Sequence, residues 1–286
     1  MCKACGCGLG GNVTIGGHSP EPDHSHDHDH GSGHHHAHDH PHDHEHAPGS
    51  APGHGHGHGR QTVTLQRSLL DKNERLAQQN RGYFRAKKLL VLNVVSSPGS
   101  GKTTFIRETA VQLAARLRVG VIVGDLATDN DAARLRTAGI PVIQITTGTV
   151  CHLDAEMISR AAGQLDLDHL DVLVIENVGN LVCPADYDLG EDLRVVLLSV
   201  TEGEDKPLKY PPMFHSAHVA IITKSDMAVA AGFDRPMALA NLARASHHAR
   251  IFELSAKTGA GMAAWLDFLV SKRTGNPPFA TVHHPK

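Results

Sequence analysis

Residues 96–104 read Ser-Ser-Pro-Gly-Ser-Gly-Lys-Thr-Thr, and their types and spacing are typical of a phosphate-binding loop. Gly99 and Gly101 allow backbone N–H groups to close around phosphate oxygens. Lys102 can reach the β- and γ-phosphates, and the Thr103 hydroxyl can ligate Mg²⁺. The predicted phosphate contacts are Gly99, Ser100, Gly101, Lys102, Thr103 and Thr104.

The loop departs from the usual pattern at its first residue, because Ser96 stands where Gly is usual. An ordinary Gly/Ser turn between a strand and a helix is the alternative interpretation. The apolar, β-branched run before the loop and the helical pattern after it favour the phosphate site. A helix that begins near Lys102 would add the positive end of its dipole to the site.

Two carboxylates follow other predicted strands, Asp125 after the second and Glu176 after the fourth. The carboxyl ends of parallel strands meet at one edge of a sheet, so both side chains are expected beside the phosphate loop. Mg²⁺ prefers oxygen ligands, which predicts direct or water-mediated contact with both carboxylates. Capping of the following helix is the alternative for each. Together with Lys102 they are the predicted catalytic residues, and Gly179 resembles the γ-phosphate-sensing glycine of GTPases.

The sixth and seventh predicted strands end in segments that resemble the two guanine-specificity elements of GTPases. The segments are Thr-Lys-Ser-Asp at 223–226 and Ser-Ala-Lys at 255–257. The carboxylate of Asp226 is an acceptor only and can take both guanine N–H donors. Thr223 stands where Asn is usual, and a polar turn is the alternative interpretation. The predicted base contacts are Lys224, Asp226, Ser255, Ala256 and Lys257.

Cys151, His152 and Cys183 form a constellation that nucleotide binding does not explain. Thiolate and imidazole ligands suit Zn²⁺ or Ni²⁺. Three ligands are too few for a closed structural site, so the spacing predicts a metal shared between subunits or held for transfer. The alternative interpretation is that the two cysteines are buried and act as small hydrophobic residues, while the histidine begins a helix.

Three more cysteines, Cys2, Cys5 and Cys7, lie at the start of the chain. With the terminal amine they can form a four-coordinate, square-planar site, a geometry that favours Ni²⁺. Redox cysteines are the alternative, but such a pair normally lies in a thioredoxin-like βαβ context that the sequence lacks here.

The 286-residue chain is uneven in composition, because residues 1–60 contain 16 of its 24 histidines and few large apolar side chains. Residues 8–60 are therefore predicted to be a disordered arm that binds several divalent ions weakly. An artificial affinity tag is the alternative, but the histidines alternate with Asp, Gly and Pro over a long stretch. The rest of the chain is nearly neutral, and no basic stripe indicates nucleic acid.

The elements that must position these residues alternate between strand and helix patterns. Strands are predicted at 90–95, 120–124, 141–145, 172–175, 194–199, 219–223 and 251–254. Helices are predicted over 64–82 and beginning near Lys102, Asn130, His152, Tyr210, Arg235 and Met262. The alternation predicts an α/β fold, a doubly wound and mostly parallel seven-stranded P-loop NTPase sheet with helices on both faces.

The predicted organisation is a cysteine segment at 1–7, a histidine-rich arm at 8–60 and a nucleotide-binding domain at 61–286. No apolar run is long enough to cross a membrane, and the first residues lack the apolar core of a signal peptide. A cytoplasmic protein with reduced cysteines and no membrane insertion is expected.

On these segments the chain resembles the HypB family, P-loop GTPases of the SIMIBI class that help to insert nickel into [NiFe]-hydrogenases. The resemblance covers the whole nucleotide-binding part, and Ser96 is normal for it. It implies GTP, Mg²⁺, nickel and zinc as ligands and a GTP-dependent homodimer. Slow GTP hydrolysis is expected because the sequence places no Gln or Arg to accelerate attack by water. It also implies Cys151, His152 and Cys183 as ligands of nickel or zinc near the subunit boundary. Some relatives carry a further histidine where this chain has Glu156.

The expected partners, also from the resemblance, are a HypA-type nickel chaperone and the precursor of the hydrogenase large subunit. Two other functions compete with nickel delivery to hydrogenase. One is a passive nickel store whose nucleotide site is vestigial. The other is a urease-type nickel-insertion GTPase, against which the three N-terminal cysteines and the Cys151–His152 pair argue.

Overall fold

The computed structural model describes residues 13–16 and 58–275. The strands are β1 (Thr14–Ile15), β2 (Leu90–Val95), β3 (Val119–Asp125), β4 (Val142–Thr146), β5 (Val172–Glu176), β6 (Leu193–Ser199), β7 (Val219–Thr223) and β8 (Arg250–Glu253). The helices are α1 (His58–Ala86), α2 (Lys102–Leu113), α3 (Asn130–Thr137), α4 (Ala155–Ala162), α5 (Lys206–Lys209), α6 (Pro211–His215), α7 (Arg235–Ala245) and α8 (Met262–Thr274). Among the described helices, no stretch combines the length and the hydropathy that a membrane span requires.

The strands form one sheet in the order β1-β4-β3-β5-β2-β6-β7-β8. Strand β1 is antiparallel to β4, and all other neighbours are parallel. Helices α2, α3 and α8 pack their apolar residues against one face, and α1, α4, α6 and α7 cover the other. Because both faces are covered, the strands are nearly continuous apolar runs. The doubly wound α/β fold is confirmed, with every predicted strand present to within one residue at each end.

The eighth strand, β1, is absent from the sequence prediction and lies inside the segment predicted to be disordered. Ile15 is buried in an apolar cluster that includes Ile145 and Ile158, and this burial fixes the short segment at the sheet edge. A two-residue strand has no periodicity from which it could be predicted. The rest of the predicted arm before His58 and the cysteine segment at 1–7 lie outside the described residues.

Two helix starts also differ from the prediction. Helix α1 begins at His58, six residues earlier than expected, because residues 58–61 (His, Gly, Arg, Gln) are polar and give no apolar periodicity from which the start could be predicted. Helix α4 begins at Ala155 and not near His152, because the Asp154 side chain caps it by accepting from the Met157 N–H at 2.8 Å.

Helix α1 is hydrogen-bonded to the two segments that contain the metal-ligand candidates Cys151, His152 and Cys183 or lie next to them. The amide of Asn80 donates to the carbonyl oxygens of Ala155 at 2.8 Å and Leu189 at 3.1 Å. Asn73 accepts from the Ala155 N–H and donates to the Asp188 carbonyl, both at 2.8 Å. The start of α4 and the loop before β6 are thereby held to a single rigid helix.

We expect Asn80→Ala to lower the free energy of unfolding by about 2–3 kcal/mol, because two buried carbonyl groups lose their donor. Urea unfolding measures the difference in the free energy of unfolding, and the dependence of this free energy on urea concentration should stay unchanged. The exposed Gln78→Ala change on the same helix is the control, with an expected effect under about 0.5 kcal/mol. Equal effects of the two substitutions would contradict the clamping role of Asn80.

Candidate nucleotide and metal site

The loop between β2 and α2 has the conformation that phosphate binding requires. Gly99 and Gly101 adopt φ values of +73° and +96°, which place them in the left-handed region. Ser96 is fully buried, its hydroxyl is hydrogen-bonded to that of Ser100, and it accepts from Lys102 Nζ at 3.1 Å. A glycine at the first position could make neither contact, so Ser96 stabilises the loop through its side chain.

Thr103 and Glu176 meet beneath this loop. The Thr103 hydroxyl donates to Glu176 Oε1 at 2.7 Å, while Glu176 Oε2 is buried without a hydrogen-bond partner. Burial raises the pKa of Glu176 to about 7, although the Thr103 bond and the nearby Lys102 charge oppose the shift. Burial also lowers the pKa of Lys102. A hydroxyl beside an unsatisfied buried carboxylate oxygen fits a magnesium site.

Asp125 ends β3 at the same edge of the sheet. Its Oδ1 accepts from the backbone N–H groups of Ala127 at 3.0 Å and Thr128 at 3.3 Å, so it caps a turn. Asp129 occupies the N-cap position of α3, which removes the helix-capping alternative for Asp125. The Asp125 backbone carbonyl accepts from the Thr147 N–H at 2.8 Å and joins this turn to the loop after β4.

The predicted base contacts line one cavity of about 410 Å³ beside the phosphate loop. Its lining includes Ser100, Gly101, Thr104, Lys224, Asp226, Ser255, Ala256 and Lys257. Lys224 Nζ donates to the Gly99 carbonyl at 2.7 Å, and the Thr223 hydroxyl donates to the Ser100 carbonyl at 3.1 Å. Thr223 therefore links β7 to the phosphate loop, which gives the unusual residue a structural role.

The loop after β5 leads from Glu176 to the metal-ligand candidates. A Cβ on Gly179 would lie 3.1 Å from the Pro98 Cα, so the two loops pack backbone to backbone. The next residue, Asn180, donates from Nδ2 to the Cys151 carbonyl oxygen at 3.2 Å. One short segment thus contacts both the phosphate loop and the cysteine loop.

Cys151, His152 and Cys183 come together at the end of this segment. Their ligand atoms lie within 4.8 Å of one another, and the two sulfur atoms are 2.9 Å apart. Burial lowers the pKa of His152, whose Nδ1 has no hydrogen-bond partner, and its ring stacks on Tyr187 at 4.0 Å between centroids. A neutral imidazole beside two thiols is a donor set for Zn²⁺ or Ni²⁺.

The alternative of inert core cysteines does not fit this geometry. All three side chains are only partly buried, and His152 precedes α4 without beginning it. Glu156 is not part of the cluster, because its carboxylate pairs with Lys72 at 2.8 Å. Among the described residues, no other group of three His, Cys, Asp or Glu side chains has this spacing.

Sequence patterns missed three residues that contribute to the site. Tyr187 stacks on His152, Asn180 joins the two loops, and Lys206 Nζ donates to the Ser97 hydroxyl at 3.4 Å. Lys206 is the first residue of the short helix α5, seven residues after β6 ends, and no sequence pattern indicates its contact. The other two owe their contacts to loop packing. Cys2, Cys5 and Cys7 lie outside the described residues.

Known proteins are similar to this chain in sequence and in fold. The family model described as CobW/HypB/UreG, nucleotide-binding domain, matches residues 90–253. The hydrogenase maturation factor HypB of Escherichia coli K12 is 50% identical over 214 residues, 75% of this chain and 74% of the relative. The hydrogenase/urease maturation factor HypB of Helicobacter pylori is 41% identical over 221 residues, 76% of this chain and 90% of the relative.

Solved structures give the same result. The crystal structure of Helicobacter pylori HypB in complex with nickel has a TM-score of 0.69 and 41% identity, covering 75% of this chain and 100% of that chain. HypB of Archaeoglobus fulgidus has a TM-score of 0.67 and 40% identity, covering 71% and 99%. The chain belongs to the HypB family of hydrogenase maturation factors.

Proposed function

We propose that this protein is a GTP-hydrolysing nickel metallochaperone that stores nickel and delivers it for the maturation of [NiFe]-hydrogenase. One observation carries the proposal: the segment 176–183 begins at the predicted magnesium carboxylate and ends at a predicted metal thiol. Its Asn180 also contacts the cysteine loop. The names of the HypB relatives and the nickel complex of one of them support it.

The nucleotide site supports GTP as the substrate. Backbone N–H groups of the phosphate loop and Lys102 would bind the phosphates, and Asp226 would accept from the guanine N–H groups. Thr103 and Glu176, with Asp125 through water, would hold Mg²⁺, which neutralises the charge that develops on the phosphates. Hydrolysis to GDP and phosphate would be slow, because these groups mainly position the reactants.

Cys151, His152 and Cys183 would hold nickel, or zinc when nickel is scarce. Three protein ligands leave at least one coordination position for a second copy of the chain or for an acceptor protein. We propose a GTP-dependent homodimer in the cytoplasm that receives nickel from a HypA-type chaperone or passes it to one. The histidine-rich arm would hold nickel in reserve, and the hydrogenase large-subunit precursor would be the final acceptor.

Nucleotide state would reach the metal through the packed loops. Gly179 lies against Pro98, so a γ-phosphate bound at this point would order the segment that continues to Cys183. Hydrolysis would remove that contact and change the position of one metal ligand. Such coupling requires different nickel affinities in the two nucleotide states, because a ligand shifts an equilibrium only through differential binding.

We therefore expect nickel to bind Cys151, His152 and Cys183 with affinities that differ at least about fivefold between GDP and a non-hydrolysable GTP analogue. The measurement is thiolate–nickel absorbance in a chain with Cys2→Ser, Cys5→Ser and Cys7→Ser. Because this chain keeps only Cys151 and Cys183, the absorbance reports nickel at this site alone. Asn180→Ala should reduce the difference, because it removes the bond to the Cys151 carbonyl. The same affinity and stoichiometry in both states would refute the coupling.

We expect Lys102→Ala to reduce GTP hydrolysis at least about a hundredfold, because the loop loses its phosphate-facing cation. Nickel capacity, measured as metal per chain, should stay unchanged. Lys272→Ala, an exposed lysine on α8, is the matched control and should behave as the parent. If hydrogenase maturation in cells persists with Lys102→Ala, the passive-store function explains the protein better than nucleotide-driven delivery.

The buried Glu176 should make the stability of the metal- and nucleotide-free protein depend on pH. Its pKa in the folded chain is about 7, above the ordinary value of 4.5. The protonated side chain therefore contributes fully to the free energy of unfolding below pH 4.5, and this contribution is lost as pH rises through 7. Between pH 4.5 and 8 the free energy of unfolding of the parent should fall by about 3 kcal/mol relative to that of Glu176→Gln, whose side chain cannot ionise. Urea unfolding of both chains in EDTA from pH 4.5 to 8 measures this loss, and parallel curves would contradict it.

A further inference from the structure

A buried row of polar side chains lies on the face of the sheet that α1, α4, α6 and α7 cover. Its members are Asn177, Asn93, Glu191 and Arg194. Asn93 and Arg194 are register partners on β2 and β6, so their side chains lie on the same face. On β2, Asn93 stands between Val91 and Val95, which belong to the apolar clusters of that face. Buried polar groups destabilise the fold unless they are hydrogen-bonded, so the partners of these side chains indicate what the row does.

Hydrogen bonds connect the members of the row one after another. Asn177 Nδ2 donates to Asn93 Oδ1 at 3.1 Å, and Asn93 Nδ2 donates to Glu191 Oε1 at 3.1 Å. The same Glu191 oxygen accepts from Arg194 Nε at 3.0 Å, while Oε2 accepts from the Leu189 N–H at 2.8 Å. Each side chain in the row therefore has a partner, and a fully bonded polar network in the interior holds its members in one arrangement.

The Arg194 end of the row reaches the segment that carries the metal-ligand candidates. Arg194 Nη1 donates to the Ala185 carbonyl oxygen at 3.1 Å, and Nη2 donates to the Tyr187 carbonyl oxygen at 2.7 Å. Ala185 lies in the 3-10 turn Cys183–Asp186, whose first residue is one of the candidates. The ring of Tyr187 stacks on His152, which is another. One guanidinium thus holds the backbone that carries one candidate ligand and orients a second.

The Asn177 end of the row lies next to the nucleotide site. Asn177 directly follows Glu176, and its Oδ1 accepts from the Val178 N–H at 2.9 Å, which fixes the first residues of the loop after β5. The row therefore extends from the predicted magnesium carboxylate to the turn that begins at Cys183. Its path passes through buried side chains and is separate from the loop contact that Asn180 makes.

From these contacts we infer that Arg194, held in place by Glu191 and Asn93, is a positioning residue that fixes segment 183–187 and thereby the geometry of the Cys151–His152–Cys183 cluster. The effect on nickel rests on the proposed function, because it takes this cluster as the nickel site, whereas the positioning itself does not.

The chemistry of the guanidinium group suits this role. Its planar fork carries five donors, so it can bond Glu191 and two backbone carbonyl groups at once, whereas a lysine ammonium has three donors on a flexible stem. A buried ion pair is often no more stabilising than apolar residues of the same volume. A role in geometry therefore accounts for the Arg194–Glu191 pair better than a role in stability.

Dibromobimane tests the positioning without metal or nucleotide, because it becomes fluorescent when it joins two nearby thiols. The test uses a chain in which the thiols outside the cluster are removed by Cys2→Ser, Cys5→Ser and Cys7→Ser. The remaining sulfur atoms, of Cys151 and Cys183, are 2.9 Å apart and should be joined rapidly. Fluorescence gives the rate of joining, and mass spectrometry separates joined chains from singly modified ones.

In this chain we expect Arg194→Lys to slow the joining about tenfold, because a lysine cannot hold both carbonyl groups of the segment. Leu269→Ala is the control for lost stability, since it opens a cavity under α8 on the opposite face of the sheet. Its rate should stay within about twofold of the parent. A rate in Arg194→Lys equal to that of the control would refute the positioning role.

Asn93→Ala tests the row itself and keeps the Arg194–Glu191 ion pair, so it also serves if Arg194→Lys does not fold. We expect it to slow the joining several-fold, because Glu191 loses the amide that orients it. Val91→Ala is the matched control, a buried residue on the same strand and the same face. Equal rates in the two chains would show that the row does not hold the segment.

Nickel affinity, measured by thiolate–nickel absorbance in the same chains, tests the effect on the metal site. We expect Arg194→Lys to weaken nickel binding about tenfold, as is usual when a group that orients metal ligands is lost, and Leu269→Ala to bind as the parent does. Parent-like affinity in Arg194→Lys would overturn the link to the metal. A parent chain that binds no nickel at the cluster would refute the proposed function and leave the bimane result intact.

Discussion

The parallel pairing of β2 with β5 is the constraint on which both sites depend. Its register sets Val94 opposite Glu176, so the phosphate loop after β2 and the carboxylate at the end of β5 emerge side by side. The Thr103–Glu176 hydrogen bond and the contact of Gly179 with Pro98 both follow from that register. A shift of one residue would turn Glu176 to the opposite face of the sheet and separate the nucleotide from the cysteine loops.

The buried Glu176 carboxylate is an energetically unfavourable feature of this arrangement. One of its oxygens is satisfied by Thr103, while the other is buried without a donor, and the pKa is raised accordingly. An unsatisfied buried charge destabilises the folded state, so the fold keeps it only where another group can complete its environment. The Cys151–His152–Cys183 cluster shares this feature, since the Nδ1 of His152 is also buried without a hydrogen-bond partner. Each cluster thus contains a buried polar atom that a bound cation could satisfy.

The sequence could predict the central sheet and the residues at its carboxyl edge. Buried strands are unbroken β-branched runs, and the parallel arrangement brings Lys102, Asp125 and Glu176 to one edge once the strands are assigned. Asn180 and Tyr187 could not be predicted, because their contacts arise from the packing of two loops against each other. Strand β1 could not be predicted for another reason, because its conformation depends on pairing with β4 and on the burial of Ile15.

The position of β1 separates two properties of the N-terminal region that could have been linked. Pairing with β4 attaches Thr14 and Ile15 to the sheet, whereas most of the histidines lie in residues 17–57, between β1 and α1. Insertions or deletions in that second stretch change the number of histidines without changing the pairing of β1 with β4. The histidine content can therefore vary among descendants of this sequence while the edge of the sheet stays the same.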